Sequence, residues 1–307
     1  MKHLPQKLIA FLANPTAEGS GLHRWLYHAA CRLAGAGCDE QAIVTHLTES
    51  TVGTSRDLTR EIKDATRGAL KLDPNAPRSH KWPARKDAAI AEILKAGINE
   101  AKLTASSPDQ FTGNAGEMLA LLFPHDPLLC IGFHIDEFYT EKRSQWDFRW
   151  RRPQFIVPSP MVAKTGRTQS GKVSAKTNDN TGDRRFLVVE FDFVPAEKPD
   201  DALLLAWGER FGIETTRDMC AALANQLASK APLALVVWSG NRSLHCWFPV
   251  NGVEEAAVRA FFSLACELGA DPATWTPSQF VRIPCGWNRK KGQCQGVIYF
   301  NPSVLPV

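Results

Sequence analysis

Two carboxylates one residue apart, inside an otherwise apolar run, are the residues of this chain best suited to chemistry. Residues 186–193 read Phe-Leu-Val-Val-Glu-Phe-Asp-Phe. On a strand, alternate side chains point the same way. Glu190 and Asp192 would therefore share one face, and Val189, Phe191 and Phe193 the other. Paired acids on a strand this apolar repel each other and lose hydration, and a divalent cation is the simplest group that makes such a pair favourable. Two plainer readings stand beside this one: an edge strand whose polar face meets water, or a pair neutralised by Arg184 and Arg185.

A second candidate group lies downstream. Residues 236–250 read as a strand, a tight Ser-Gly turn and a returning strand. Ser243, His245 and Trp247 would share a face of the returning strand. With Ser239, Arg242 and the exposed amides of the turn, Ser243 and His245 can grip phosphates. The plainer alternative is a core histidine bonded internally. A third group spans 269–292. Asp271 follows a long amphipathic helix, Arg282 precedes Ile-Pro, and Arg289, Lys290 and Lys291 form a basic cluster. Each of these also has an ordinary reading: a helix-stop aspartate, a structural arginine and a solvated charge run.

Taken in order, hydrophobic-Glu-x-Asp, Ser-x-His on a strand, then an acid and an Arg-x-Pro-x-Gly-x-Asn-Arg-Lys segment resemble the motifs of the archaeo-eukaryotic primase superfamily. The closest likeness is to the primase-polymerases of phages, plasmids and other mobile elements. The resemblance covers about residues 150–300. It implies metal binding by Glu190, Asp192 and Asp271 with Mg2+ or Mn2+, and a catalytic role for these acids and His245. Ser239, Arg242, Ser243, His245, Arg282 and Lys290 would meet the incoming nucleotide. The reaction implied is DNA-directed nucleotidyl transfer by two-metal catalysis, as primase, primer-extending polymerase or both. Its partners would be a single-stranded DNA template, dNTP or NTP, and a separate replicative helicase, since no helicase ATPase motif is present. The first acid is Glu where the family more often has Asp. The alternative is a catalytically degenerate primase-like protein that binds single-stranded nucleic acid and recruits a helicase. A metal-dependent nuclease is disfavoured by Ser-x-His standing where a further carboxylate would be. A rolling-circle initiator lacks its histidine pair.

A template needs its own surface. Residues 142–152, Lys-Arg-Ser-Gln-Trp-Asp-Phe-Arg-Trp-Arg-Arg, interleave aromatic rings that can stack on bases with arginines that neutralise phosphates. Arg149, Trp150, Arg151 and Arg152 are candidates there, joined by Lys172, Arg289 and Lys291. The same stretch also suits a strand with aromatics inward and arginines outward. Gly166 to Val173 imitates a phosphate-binding loop, but Val173 stands where a Ser or Thr must hold magnesium, so that reading is refused.

These groups need elements to position them. Helical periodicity over 20–70 predicts three short helices, with Gly35 and Gly37 ending the first and Asp39 capping the second. This segment is similar to the small helical domain that accompanies such primases, although there it usually follows the catalytic domain. The expected organisation is a helical bundle at 18–72, a linker and connecting helix at 73–100, and a catalytic domain at 101–307. The last is α+β, with a mixed, RRM-like β-sheet flanked by helices. Strands are expected at 128–134, 154–157, 186–193, 233–238, 244–250 and 296–300. Helices are expected at 114–122, 200–212, 215–229 and 253–268, and a long exposed loop at 164–185. The 307 residues are 44% hydrophobic and 22% charged, with a net charge of +4, the profile of a globular protein that permits a polyanionic partner. The N-terminus lacks a signal-peptide pattern, no apolar run reaches membrane-spanning length, and the eight cysteines form no C-x-x-C pair. A cytoplasmic protein with reduced thiols and no membrane partner is expected.

Overall fold

A computed structural model describes residues 4–15, 22–53, 57–70, 82–146, 148, 152–168, 171–193 and 199–306. The chain divides into two compact units, residues 1–81 and 82–307.

The first unit is helical. Its elements are α1 (Gln6–Leu12), α2 (Leu22–Gly35), α3 (Glu40–Ser50) and α4 (Thr59–Leu70). Leu26, Ala29, Ala30 and Leu33 form the buried stripe of α2, and they meet Ile43 and Leu47 of α3 and Ile62, Ala65 and Ala69 of α4. The Asp39 carboxylate accepts a hydrogen bond from the Ala42 N–H at 2.9 Å, as an N-cap should. Helix α1 was not expected. Leu8 and Leu12, one helical turn apart, bury it against the same core.

The second unit contains α5 (Asp87–Leu94), α6 (Glu100–Ala105), α7 (Ala115–Leu122), β1 (Leu128–His134), β2 (Glu137–Lys142), β3 (Phe155–Ile156), β4 (Gly166–Arg167), β5 (Val173–Ser174) and β6 (Phe186–Phe191). It continues with α8 (Pro199–Arg210), α9 (Thr216–Ala228), β7 (Leu235–Trp238), β8 (Leu244–Pro249), α10 (Glu255–Glu267), β9 (Val281–Arg282), β10 (Trp287–Asn288), β11 (Gln293–Cys294) and β12 (Val297–Phe300). The connecting helix expected within 73–100 is present as α5, and α6, which was not expected, follows it. Ile90, Leu94 and Leu103 lie in the same core as Val189 and Phe191, so residues from 82 onward belong to the sheet unit.

The α+β class holds, but the expected mixed sheet does not. The central sheet runs β12-β7-β8-β6 and a second runs β2-β1-β3-β9, and the pairs within both are antiparallel. A strand as apolar as β6 needs cover on both faces. Here the two faces are covered differently. Leu187, Val189 and Phe191 of β6 and Leu244, Cys246 and Phe248 of β8 pack on the helical layer. Phe186, Val188 and Trp247 pack instead with Leu129 and Ile131 of β1, Ile156 of β3 and Val281 of β9. Sheet against sheet on one side and sheet against helices on the other bury both faces without parallel pairing.

The loop expected at 164–185 is also corrected. Strands β4 and β5 make a small hairpin, and the turn beyond it is internally bonded. Asn180 Oδ1 accepts from the Thr177 N–H and hydroxyl at 2.9 and 2.8 Å, while its Nδ2 donates to the carbonyls of Ala163 and Ala175. A Cβ on Gly166 would stand 2.9 Å from the Asn180 backbone nitrogen. The glycine of the false phosphate loop is therefore a packing requirement. Among the described residues, no helix is long and apolar enough to cross a membrane.

Candidate functional site

The register of β6 against β8 brings the first two motifs together. Glu190 pairs directly with His245, and His245 pairs on its other side with Val237 of β7. Alternation turns both side chains toward the second sheet, on the face of Val188 and Trp247. Glu190 Oε1 lies 3.4 Å from His245 Nε2. The third motif joins through the backbone. The Asp271 N–H donates to the Glu190 carbonyl at 2.9 Å, and Ala270 bridges Phe191. The segment after α10 thus covers the end of edge strand β6 and sets Asp271 beside the first acid. Arg282 arrives on β9, opposite Phe155 of β3, with its guanidinium 4.8 Å from that ring.

The electrostatics record this convergence. The Glu190 carboxyl is pushed up to about 7, chiefly by burial, then by the charges of Asp192 and Asp271. A Ser243 hydrogen bond and the Arg282 charge oppose that rise. His245 is driven down to about 3 by burial and by Arg282, so its ring is neutral at physiological pH. The Glu190–His245 contact is therefore no ion pair. Burial also lowers the Arg282 guanidinium, against the pull of Glu190 and Asp192. Both ring nitrogens of His245, Arg282 Nη1 and the Ser239 hydroxyl are buried and have no hydrogen-bond partner among the described residues. Natural interiors rarely leave such groups unpaired, and where they do a ligand or water is the usual explanation.

The outer half of the site is solvated. Asp192 Oδ1 accepts from Arg242 Nε at 2.8 Å, with both side chains well exposed. The Asp271 carboxylate accepts from the Ala273 N–H at 2.9 Å and caps the short turn Pro272–Trp275, so the helix-stop role is present alongside its place next to Glu190. Asp192 and Asp271 are both close enough to act on Glu190. Yet among the described residues no group of three or more His, Cys, Asp or Glu side chains stands in metal-ligating geometry. Comparison with known proteins gives no match: no family model, no curated protein and no solved structure. The reading therefore rests on the residues and their geometry.

The basic cluster meets the site at the 239–243 turn. The Ser239 N–H donates to the Ser243 carbonyl at 3.0 Å, and Gly240 holds the turn at φ +74°. Asn288 of β10 donates from Nδ2 to the Ser239 carbonyl at 2.8 Å. A Cβ on Gly240 would stand 2.8 Å from that of Asn288. The turn thus requires glycine both for its φ and for this close approach. Arg289, Lys290 and Lys291 follow Asn288 and are exposed. Arg152 lies over Trp287 of β10, 4.5 Å from the ring centre. Lys172 stands apart on the β4–β5 hairpin, where its N–H donates to Thr168 Oγ1. Arg149, Trp150 and Arg151 lie outside the described residues.

Sequence reasoning missed Arg85. A cleft of about 590 Å³ opens beside Asp192 and Asp271, and Pro83, Arg85 and Asp87 line it with them. Arg85 Nε donates to Asp87 at 2.7 Å. The Pro-rich composition around these residues read as a linker, and the only hint was the pairing of Arg85 with Asp87 immediately before a helix. A larger cavity of about 1040 Å³, lined by Leu4, Ile9 and His46 among others, belongs to the helical unit and contains none of the candidate residues.

Proposed function

We propose that the second unit is a DNA-directed nucleotidyltransferase of the primase-polymerase type, acting on a single-stranded template. The observation that carries this reading is the pairing of Glu190 with His245, with Asp271 tied to the same Glu190 by its backbone. Three motifs remote in sequence meet at the end of one strand pair, in the combination that acid-assisted phosphoryl chemistry needs.

The donor set fits Mg2+ or Mn2+, because Glu190, Asp192 and Asp271 offer hard carboxylate oxygens and no thiolate. Mutual repulsion among these acids is what a bound cation would relieve, and Glu190 already feels it. When bound, such ions activate the attacking hydroxyl and stabilise the leaving pyrophosphate. The protein's own residues do the rest. Arg282 supplies positive charge beside the acids and can pair with phosphate oxygens. Neutral His245 can donate one ring N–H to a phosphate, and the Ser239 and Ser243 hydroxyls can do the same. Arg242 holds Asp192 until a triphosphate offers it a better partner.

A second reading has two observations in its favour. Arg242 already pairs with Asp192, and the Asp271 carboxylate is already engaged as a cap. A degenerate primase-like protein that binds single-stranded nucleic acid and recruits a helicase would keep them so. Incubation with single-stranded template, Mg2+ or Mn2+ and labelled nucleotides, with and without a primer, separates the two. Incorporation that Asp192→Ala abolishes while the circular dichroism spectrum is unchanged supports the enzyme. Full incorporation by that variant overturns it.

A further inference from the structure

We propose that the β10–β11 hairpin is a clamp for single-stranded DNA, with Arg289, Lys290 and Lys291 on phosphates and Trp287 stacked against a base. The identification of that strand as template rests on the polymerase reading. The binding itself rests on the hairpin alone.

Four observations converge. Residues 285–296 read Cys-Gly-Trp-Asn-Arg-Lys-Lys-Gly-Gln-Cys-Gln-Gly, with three consecutive cations and no acid. The three cations are exposed on the turn between paired strands, Trp287 opposite Cys294 and Asn288 opposite Gln293. A merely solvated charge run needs no anchor, but this turn has several. Asn288 donates to the Ser239 carbonyl at 2.8 Å and accepts from the Lys291 N–H at 3.2 Å, and the Arg289 N–H donates to Gln154 Oε1 at 3.1 Å. The anchor is the same turn whose Arg242 reaches Asp192, so the hairpin borders the acid site. Finally, the half-buried Trp287 has the Arg152 guanidinium 4.5 Å from its ring centre. An indole paired with arginine at the root of a basic turn is the combination that holds unpaired bases and their backbone. A duplex hides its base faces and gains nothing from the indole. Lys290, expected from sequence to meet the nucleotide, stands on this turn and is grouped with its neighbours.

The test is fluorescence anisotropy of a labelled oligothymidylate with the full chain, without metal or nucleotide, over a range of salt concentrations. Replacing Arg289, Lys290 and Lys291 together by Ala should reduce the slope of log K against log salt by about 2, from roughly 0.7 per phosphate contact on a single strand. Trp287→Ala should weaken binding by roughly 5- to 150-fold, the range for losing one stacked base. Trp287→Phe, which keeps an aromatic face, should stay much closer to wild type. An unchanged salt slope, equal weakening by Phe and Ala, or equal binding of a duplex of the same length overturns the clamp. Its failure and that of the polymerase are distinguishable. Hairpin variants that lose binding in a protein that never incorporates nucleotides leave the clamp standing and sink the enzyme. Primer extension by a protein whose hairpin variants bind normally does the reverse.

Discussion

The inner and outer halves of the acid site use the same residue types under opposite conditions. Glu190, His245 and Arg282 are enclosed between two sheets, and burial moves all three away from their ordinary protonation behaviour. Asp192, Arg242 and Asp271 lie in solvent and satisfy each other or the backbone cheaply. A charge pair as exposed as Asp192–Arg242 contributes little to stability, of order 0–1 kcal/mol. A buried polar group without a partner costs about 1–3 kcal/mol. The inner half therefore carries a desolvation cost on its charged groups, while the outer half can change partners at little expense. That difference suits a site whose inner groups wait for a ligand and whose outer groups open to admit it.

The largest effect should come from His245. Its ring is buried between β6 and β7, so His245→Ala leaves a cavity and should cost roughly 2–4 kcal/mol, judging from other large-to-small core changes. His245→Leu fills most of that space and removes two unpartnered nitrogens, and should cost less than about 1.5 kcal/mol. Urea denaturation measures both. If the ring served packing alone, the Leu variant would also keep nucleotide incorporation. The proposed role requires that it lose incorporation while remaining folded.

Glu190 sharpens the comparison through pH. Its folded value, about 7, lies above the ordinary 4.5, so the native state holds the extra proton between those values. Stability contributed by this group is full below about pH 4.5 and is lost as pH rises through about 7. His245 works in the opposite sense. Its folded value of about 3 lies below 6.5, so its contribution is full above about pH 6.5 and falls as pH drops toward 3. The two trends oppose each other where they overlap. Glu190→Gln removes the first alone, so the metal-free variant should be more stable than wild type at pH 8, by a margin on the order of 2 kcal/mol. Thermal melts in chelator at pH 5 and pH 8 measure this. Equal stability of the two proteins at pH 8 would mean that neither burial nor repulsion penalises the Glu190 charge, and that the inner half carries no such cost.

Much of the inner half was legible in the sequence, and much of what surrounds it was not. Alternation along 186–191 and 244–249 placed Glu190, Ser243 and His245 on their faces, because a one-residue slip would turn Val188 and Trp247 out of a buried core. Asp39 as a helix cap was equally local. The second sheet was harder to read. Strand β9 is two residues long and pairs with Phe155 and Ile156, more than a hundred positions earlier, so no short-range pattern announces it. The β10–β11 hairpin is Gly-, Lys- and Gln-rich and has no apolar alternation. Arg85 read as linker because Asp192 and Asp271, which line the same cleft, are remote in the chain. Strands set by their own alternation were found, and the short strands set by a distant partner were not.

The smallest expected change in stability is the most telling for the outer half. Asp192→Asn keeps the size of the side chain and breaks only an exposed pair with Arg242. It should alter unfolding free energy by no more than about 0.5 kcal/mol, as surface substitutions usually do. The neutral amide is a far poorer cation ligand, so Mn2+ binding followed by calorimetry should weaken at least tenfold. Arg242→Ala is the complementary variant. It frees Asp192 without removing it, so Mn2+ affinity should stay the same or rise, while the KM for nucleotide should increase because a phosphate partner is lost. If Arg242→Ala instead weakened Mn2+ binding as much as Asp192→Asn, the pair would be a fixed structural unit. The outer half would then not open to admit a ligand, and the contrast with the inner half would collapse.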